Sequence, residues 1–112
     1  MNLDILKEKT RNEFKKWLTD NFLVEDIINT EPDDWMESID DFANKNAGLA
    51  DPNIILQNEK INQIDLGDGY PENTLITGLI FDRTQQFLDG YLYDEFDYIV
   101  SEISDLDFYN KF

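Results

Sequence analysis

Apolar residues recur at intervals of three and four in three separate stretches of the chain, and each stretch predicts an amphipathic helix. The first, Leu3, Leu6, Thr10, Phe14, Trp17 and Leu18, predicts a helix over 3–22 with lysines on its opposite side. The second, Trp35, Ile39, Phe42 and Ala43, follows a clear start signal. Thr30 is placed to cap it, Pro32 falls in its first turn, and Glu31, Asp33 and Asp34 sit where the positive helix end favours anions. Gly48 is a natural stop, so this helix closes near 46–48. The third, Leu92, Phe96, Ile99, Val100, Ile103 and Leu106, predicts a helix over 93–106.

Between these stretches the period changes. Asn53-Ile54-Ile55-Leu56-Gln57 and Ile61-Asn62-Gln63-Ile64-Asp65-Leu66 are short and Ile-rich, with Asn58-Glu59-Lys60 between them, which reads as a small hairpin closed by the loop Gly67-Asp68-Gly69-Tyr70-Pro71. Residues 74–89 admit two readings. Leu75, Ile76, Leu79, Ile80 and Phe87 lie on one helical face, with Asn73 as a cap and Gly90 as a stop. The run Thr74-Leu75-Ile76-Thr77 and the internal Gly78 suit a strand instead; the balance favours helix. The aromatic tail Phe108-Tyr109-Asn110-Lys111-Phe112 is expected to dock on the core. The expected fold is α+β and mostly helical: about four helices packed around a small antiparallel hairpin, in a single domain spanning 1–112.

Composition removes most chemistry. With no His and no Cys, nucleophilic sites built on either residue, the usual zinc ligand sets, Fe–S clusters and disulfides are excluded. Asp65-Leu66-Gly67-Asp68-Gly69-Tyr70-Pro71-Glu72 resembles a calcium loop only loosely, because counting from Asp65 the glycine falls at position five and Ile76 stands where the twelfth-position Glu belongs. The glycines form no phosphate-binding pattern. A pair of carboxylates for acid/base work is available by chance among 25 acidic residues and therefore signals little. No cofactor, no metal and no enzymatic activity are expected. Nothing resembles a signal peptide or a membrane span, which makes the cytoplasm the expected location.

Charge changes the picture most. The 25 acids face 9 bases, a formal charge of −16, whereas solubility alone requires a magnitude of about 2–8 in a small domain. Five bases (Lys7, Lys9, Arg11, Lys15, Lys16) crowd into residues 1–16, while residues 17–43 hold nine acids and no base. A second acidic block over 82–107 contains only Arg83 as a base. On a helix, Asp33, Glu37, Asp40, Asp41 and Asn44 share a stripe away from Trp35, Ile39 and Phe42, with Asp34 beside it. Asp94, Asp97, Ser101 and Asp105 do the same opposite Phe96, Val100 and Ile103. Like charges at such spacing cost about 0.2–0.5 kcal/mol per pair and lie about 5–6 Å apart at Cβ. A repulsion of this kind is tolerated where it serves binding, and a field of this sign opposes nucleic acid and anionic lipid.

The expected function is therefore that of an acidic, non-enzymatic inhibitor occupying the basic nucleic-acid-binding surface of a partner protein by mimicry. Its contact residues would be Asp33, Asp34, Glu37, Asp40, Asp41, Asp94, Asp97 and Asp105, with Tyr91, Tyr93, Tyr98 and Tyr109 as anchors. In size and charge over the whole chain it resembles bacterial and phage DNA-mimic proteins and the immunity proteins that block nuclease toxins; no motif carries that resemblance, so no functional residues transfer. The rivals are an immunity protein with one cognate nuclease toxin, a small metal-dependent enzyme using Asp and Glu, and an oligomerising subunit.

Overall fold

The computed structural model describes residues 1–67 and 75–110, with side chains through Phe108. The order of elements is α1 (Leu3–Asn21), α2 (Val24–Ile27), a 3-10 turn (Pro32–Trp35), α3 (Met36–Ala47), α4 (Pro52–Ile55), α5 (Glu59–Asn62) and α6 (Ile76–Asn110). Among the described residues there is no strand.

The 35-residue α6 is the organising element. At 1.5 Å per residue it runs about 52 Å, close to the 57 Å long axis of the molecule, and α1 to α5 all pack against it. Its buried residues Ile80, Thr84, Leu88, Leu92, Phe96, Ile99 and Ile103 form one unbroken stripe. Leu3 meets Ile80, Leu6 meets Leu88, and Phe14 and Leu18 meet the segment Leu92–Ile103, so α1 runs parallel to α6. In α3, Ile39 packs near Phe96 while Ala43 and Ala47 reach Leu88, so α3 runs antiparallel.

The helix expected over 3–22 forms as α1, capped by the Asn2 side chain, which accepts from Ile5 N at 2.9 Å. The second helix also forms, with a different opening. Glu31 and Asp34 build a capping box on the 3-10 turn, while Thr30 donates to Ile27 O at 2.7 Å and accepts from Trp35 Nε1 at 2.8 Å.

The antiparallel hairpin is not present. Asp51 caps a turn that begins with Pro52, its carboxylate accepting from Asn53 N at 3.0 Å, and Asn58 caps the next, accepting from Lys60 N at 3.0 Å. Each turn buries one isoleucine, Ile55 or Ile61, against Ile80 and Leu3. Two capped helical turns thus satisfy the backbone locally and bury Ile55 and Ile61.

The helical reading of 74–89 is correct from Ile76 onward, but Gly90 is no stop. The stripe continues through Leu88 and Leu92, whose burial contributes about 1.5–3 kcal/mol each, against about 1 kcal/mol for glycine inside a helix. A Cβ at Gly90 would meet nothing within 4 Å. Gly90→Ala is therefore expected to stabilise the protein by about 0.5–1 kcal/mol, visible as a raised urea midpoint with an unchanged slope.

At the tail, Phe108 is 58% exposed, and the side chains of the rest of the expected docking segment, 109–112, lie outside the described residues. The loop over 68–71, the cap Asn73 and most of the calcium-like stretch 65–72 lie outside the described residues. Among the described residues, no helix is long and apolar enough to cross a membrane.

Candidate functional site

The two sides of α6 are electrostatically different, and the bases of α1 create the difference. Arg11 donates to Glu102 through both terminal nitrogens at 3.0 and 2.7 Å and lies 3.7 Å from Glu95. Lys15 reaches Glu102 at 3.0 Å. These hydrogen bonds, Arg11 first and Lys15 next, hold the Glu102 carboxyl down at about 2. Lys9 and Lys45 both pair with Glu13, to which Asn46 also donates at 3.1 Å. Burial opposes ionisation of Glu13, but these donors outweigh it and keep its carboxyl below the usual range. Lys7 sits 5.0 Å above the Tyr91 ring. Most of the basic cluster is thus engaged inside the fold.

The side of α6 that faces α3 has no such partners. Asp40 and Asn44 of α3 are joined to α6 by Gln85, which donates to Asp40 at 2.9 Å and accepts from Asn44 at 3.2 Å. One turn along, Asp89 meets Asp40 across the seam. Burial, then the charge of Asp40 and a hydrogen bond to it, push the Asp89 carboxyl up to about 7, so Asp89 holds its proton close to neutrality. Tyr93 follows, its hydroxyl donating to Asp33 and raised by partial burial and by the carboxylates of Asp33 and Asp89. Met36, Glu37, Asp40, Asp89 and Tyr93 line an open cleft of about 590 Å³. Among the described residues, no Lys or Arg pairs with Asp33, Glu37, Asp40 or Asp89.

No family model, curated protein or solved structure matches the chain. Its reading therefore rests on geometry and charge.

The structure brings Asp33, Glu37 and Asp40 together on this seam. Asp34 is spent on the turn, accepting from Glu31 N at 2.8 Å. Asp41 lies round the helix, at a notch lined by Trp17, Ser38, Phe42 and Lys45. Asp94, Asp97 and Asp105 are exposed on the outward side of α6. Of the tyrosine anchors, Tyr98 is 67% exposed, whereas Tyr91 faces α1 beneath Lys7. Tyr93, one of the expected anchors, lies on the seam, and Asp89 is the seam residue missing from the expected contact set. Their signal was an acid and an aromatic one turn apart on α6, but nothing local says which neighbour that face meets. Among the described residues, no group of three or more acids is arranged to hold a metal ion.

The Asp40–Asp89 pair gives a stability prediction. An ordinary aspartate titrates near 3.9, so the folded state keeps this proton to higher pH than the unfolded chain does, and stability falls as pH rises from about 4 through about 7. Asp89→Asn removes that loss and is expected to add about 1–2 kcal/mol at pH 8, after allowance for solvent screening of a half-exposed group. At pH 4.5 the gain should be near zero, a contrast that thermal melts at the two pH values would display.

Proposed function

We propose that the protein is an acidic binding protein that occupies the nucleic-acid-binding surface of a basic partner, using the α3–α6 seam as its contact face. The observation that carries this reading is the segregation of charge: the bases of α1 pair with Glu13, Glu95 and Glu102, while among the described residues no Lys or Arg pairs with the row formed by Asp33, Glu37, Asp40 and Asp89. Such a row repels itself, and the energy stored in that repulsion is recovered when cations arrive. Neighbouring acids at one-turn spacing, about 5–6 Å, approximate the phosphate spacing along a nucleic-acid strand.

Recognition through Asp89 also makes a pH prediction. A partner's Lys or Arg favours the ionised carboxylate, so binding displaces the Asp89 proton, and affinity should strengthen several-fold between pH 6 and pH 8. Asp89→Asn should flatten that dependence, a difference that calorimetry in two buffers of different ionisation enthalpy would read directly. The proposal is tested by capture at low salt on the immobilised protein. Retained proteins should be basic, should elute on a salt gradient, and should be nucleic-acid-binding proteins or nucleases. A retained set that is acidic and resistant to salt would overturn it.

A further inference from the structure

Charge alone does not make a durable complex. Exposed ion pairs contribute about 0–1 kcal/mol each, and the lifetime of an interface depends on a few buried apolar anchors, commonly aromatic and ringed by polar groups. The structure holds such a platform where α1, α2 and the 3-10 turn meet. Trp17 lies 5.8 Å from Trp35, 5.4 Å from Phe22 and 5.9 Å from Phe42 between ring centroids, and Phe22 lies 4.8 Å from Trp35. The rings are held in place from below by Phe14, 6.2 Å from Trp17, and the Trp35 indole is fixed by its bond to Thr30.

At the surface this cluster continues into Leu23, 66% exposed, and Met36, 59% exposed. Phe22, Leu23, Met36 and the half-buried Trp35 each stand within two positions of an exposed acid: Asp20 by Phe22, Glu25 by Leu23, Asp34 by Trp35, Glu37 by Met36. Met36 also lines the seam cleft with Glu37, Asp40 and Tyr93, so the apolar patch and the carboxylate row are continuous. Another exposed aliphatic pair, Leu75 and Ile76, stands at the start of α6.

We propose that Phe22, Leu23, Trp35 and Met36 dock a basic amphipathic segment of the partner, its aliphatic side chains lying on this platform while its Lys and Arg meet the surrounding carboxylates. The occupant is argued from charge complementarity: residues 17–43 contain no base to favour an acidic or neutral guest, and Lys45, at the edge, is held by Glu13 at 3.6 Å. This inference rests on the basic-partner reading above and adds the chemistry of the segment that is bound.

The test uses the full chain and two synthetic 18-residue peptides with the same number of lysines, one carrying leucines at helical spacing and the other serines in their place. Trp17 and Trp35 are the protein's two tryptophans, and both lie in the cluster, so intrinsic fluorescence reports the event. The leucine peptide should bind at least tenfold more tightly than the serine peptide and shift the emission. The pair Leu23→Ser with Met36→Ser, both exposed and so expected to leave the circular dichroism unchanged, should abolish that preference without weakening the serine peptide. Leu75→Ser with Ile76→Ser should leave the preference intact. Equal affinity for the two peptides, or loss of the preference in the second pair, would overturn the anchor alone. Failure of both peptides to bind at low salt would remove the basic-partner reading and the anchor with it. A dimer in sedimentation that the first pair dissociates would assign the patch to a second copy of the chain instead.

Discussion

Phe96→Ala is expected to cost about 3–5 kcal/mol of stability, the ordinary penalty for emptying a fully buried aromatic site. Phe96 has no exposed surface and stands where α1, α3 and α6 converge, 6.4 Å from the Phe14 ring and packed with Leu18, Ile39 and Ile99. Because α6 carries every other helix, a cavity there removes support from both α1 and α3. A domain of this size has about 5–15 kcal/mol in total, so the variant should be largely unfolded or lose a large part of its urea midpoint. Equilibrium denaturation followed by circular dichroism measures it; a native midpoint would show that the convergence of the three helices is not the centre of the core.

The second large effect concerns binding and leaves the fold intact. Glu37→Lys with Asp40→Lys and Asp41→Lys reverses three exposed charges of α3, a change of six units along the helix. Two of the three line the seam, and Asp40 faces Asp89. Lysine at position 40 would pair with Asp89, whose carboxyl would then return toward its usual range, so stability should hold or rise. Association with the basic partner should fall by at least a hundredfold at low salt and less at high salt, because the lost term is electrostatic steering and pairing. Surface plasmon resonance at two salt concentrations separates these components, and an unchanged affinity would remove the seam from the interface.

How much of this was legible in the sequence depends on what each element needed. Helices α1 and α3 were readable because their apolar residues repeat at helical spacing and their ends carry Pro32 and Gly48. The hairpin expectation fails because the side chains of Asp51 and Asn58 cap two helical turns, which outweighs the strand preference of the β-branched isoleucines. Gly90 looks like a terminator because its local cost is visible in sequence and tertiary burial is not; packing on both sides of that position carries α6 straight through it. The acidic row on α3 was legible as a helical stripe. That it meets Asp89 and Tyr93 was not, since Asp89 and Glu102 look alike in sequence and differ only in whether α3 or α1 lies opposite.

The whole reading turns on whether the seam and a nucleic acid compete for one surface. The deciding measurement is a titration of the captured basic protein with this protein in the presence of increasing duplex DNA. Mimicry requires the apparent dissociation constant to rise in proportion to DNA concentration, with no species containing all three components. A stable ternary complex, or an affinity indifferent to DNA, would contradict it.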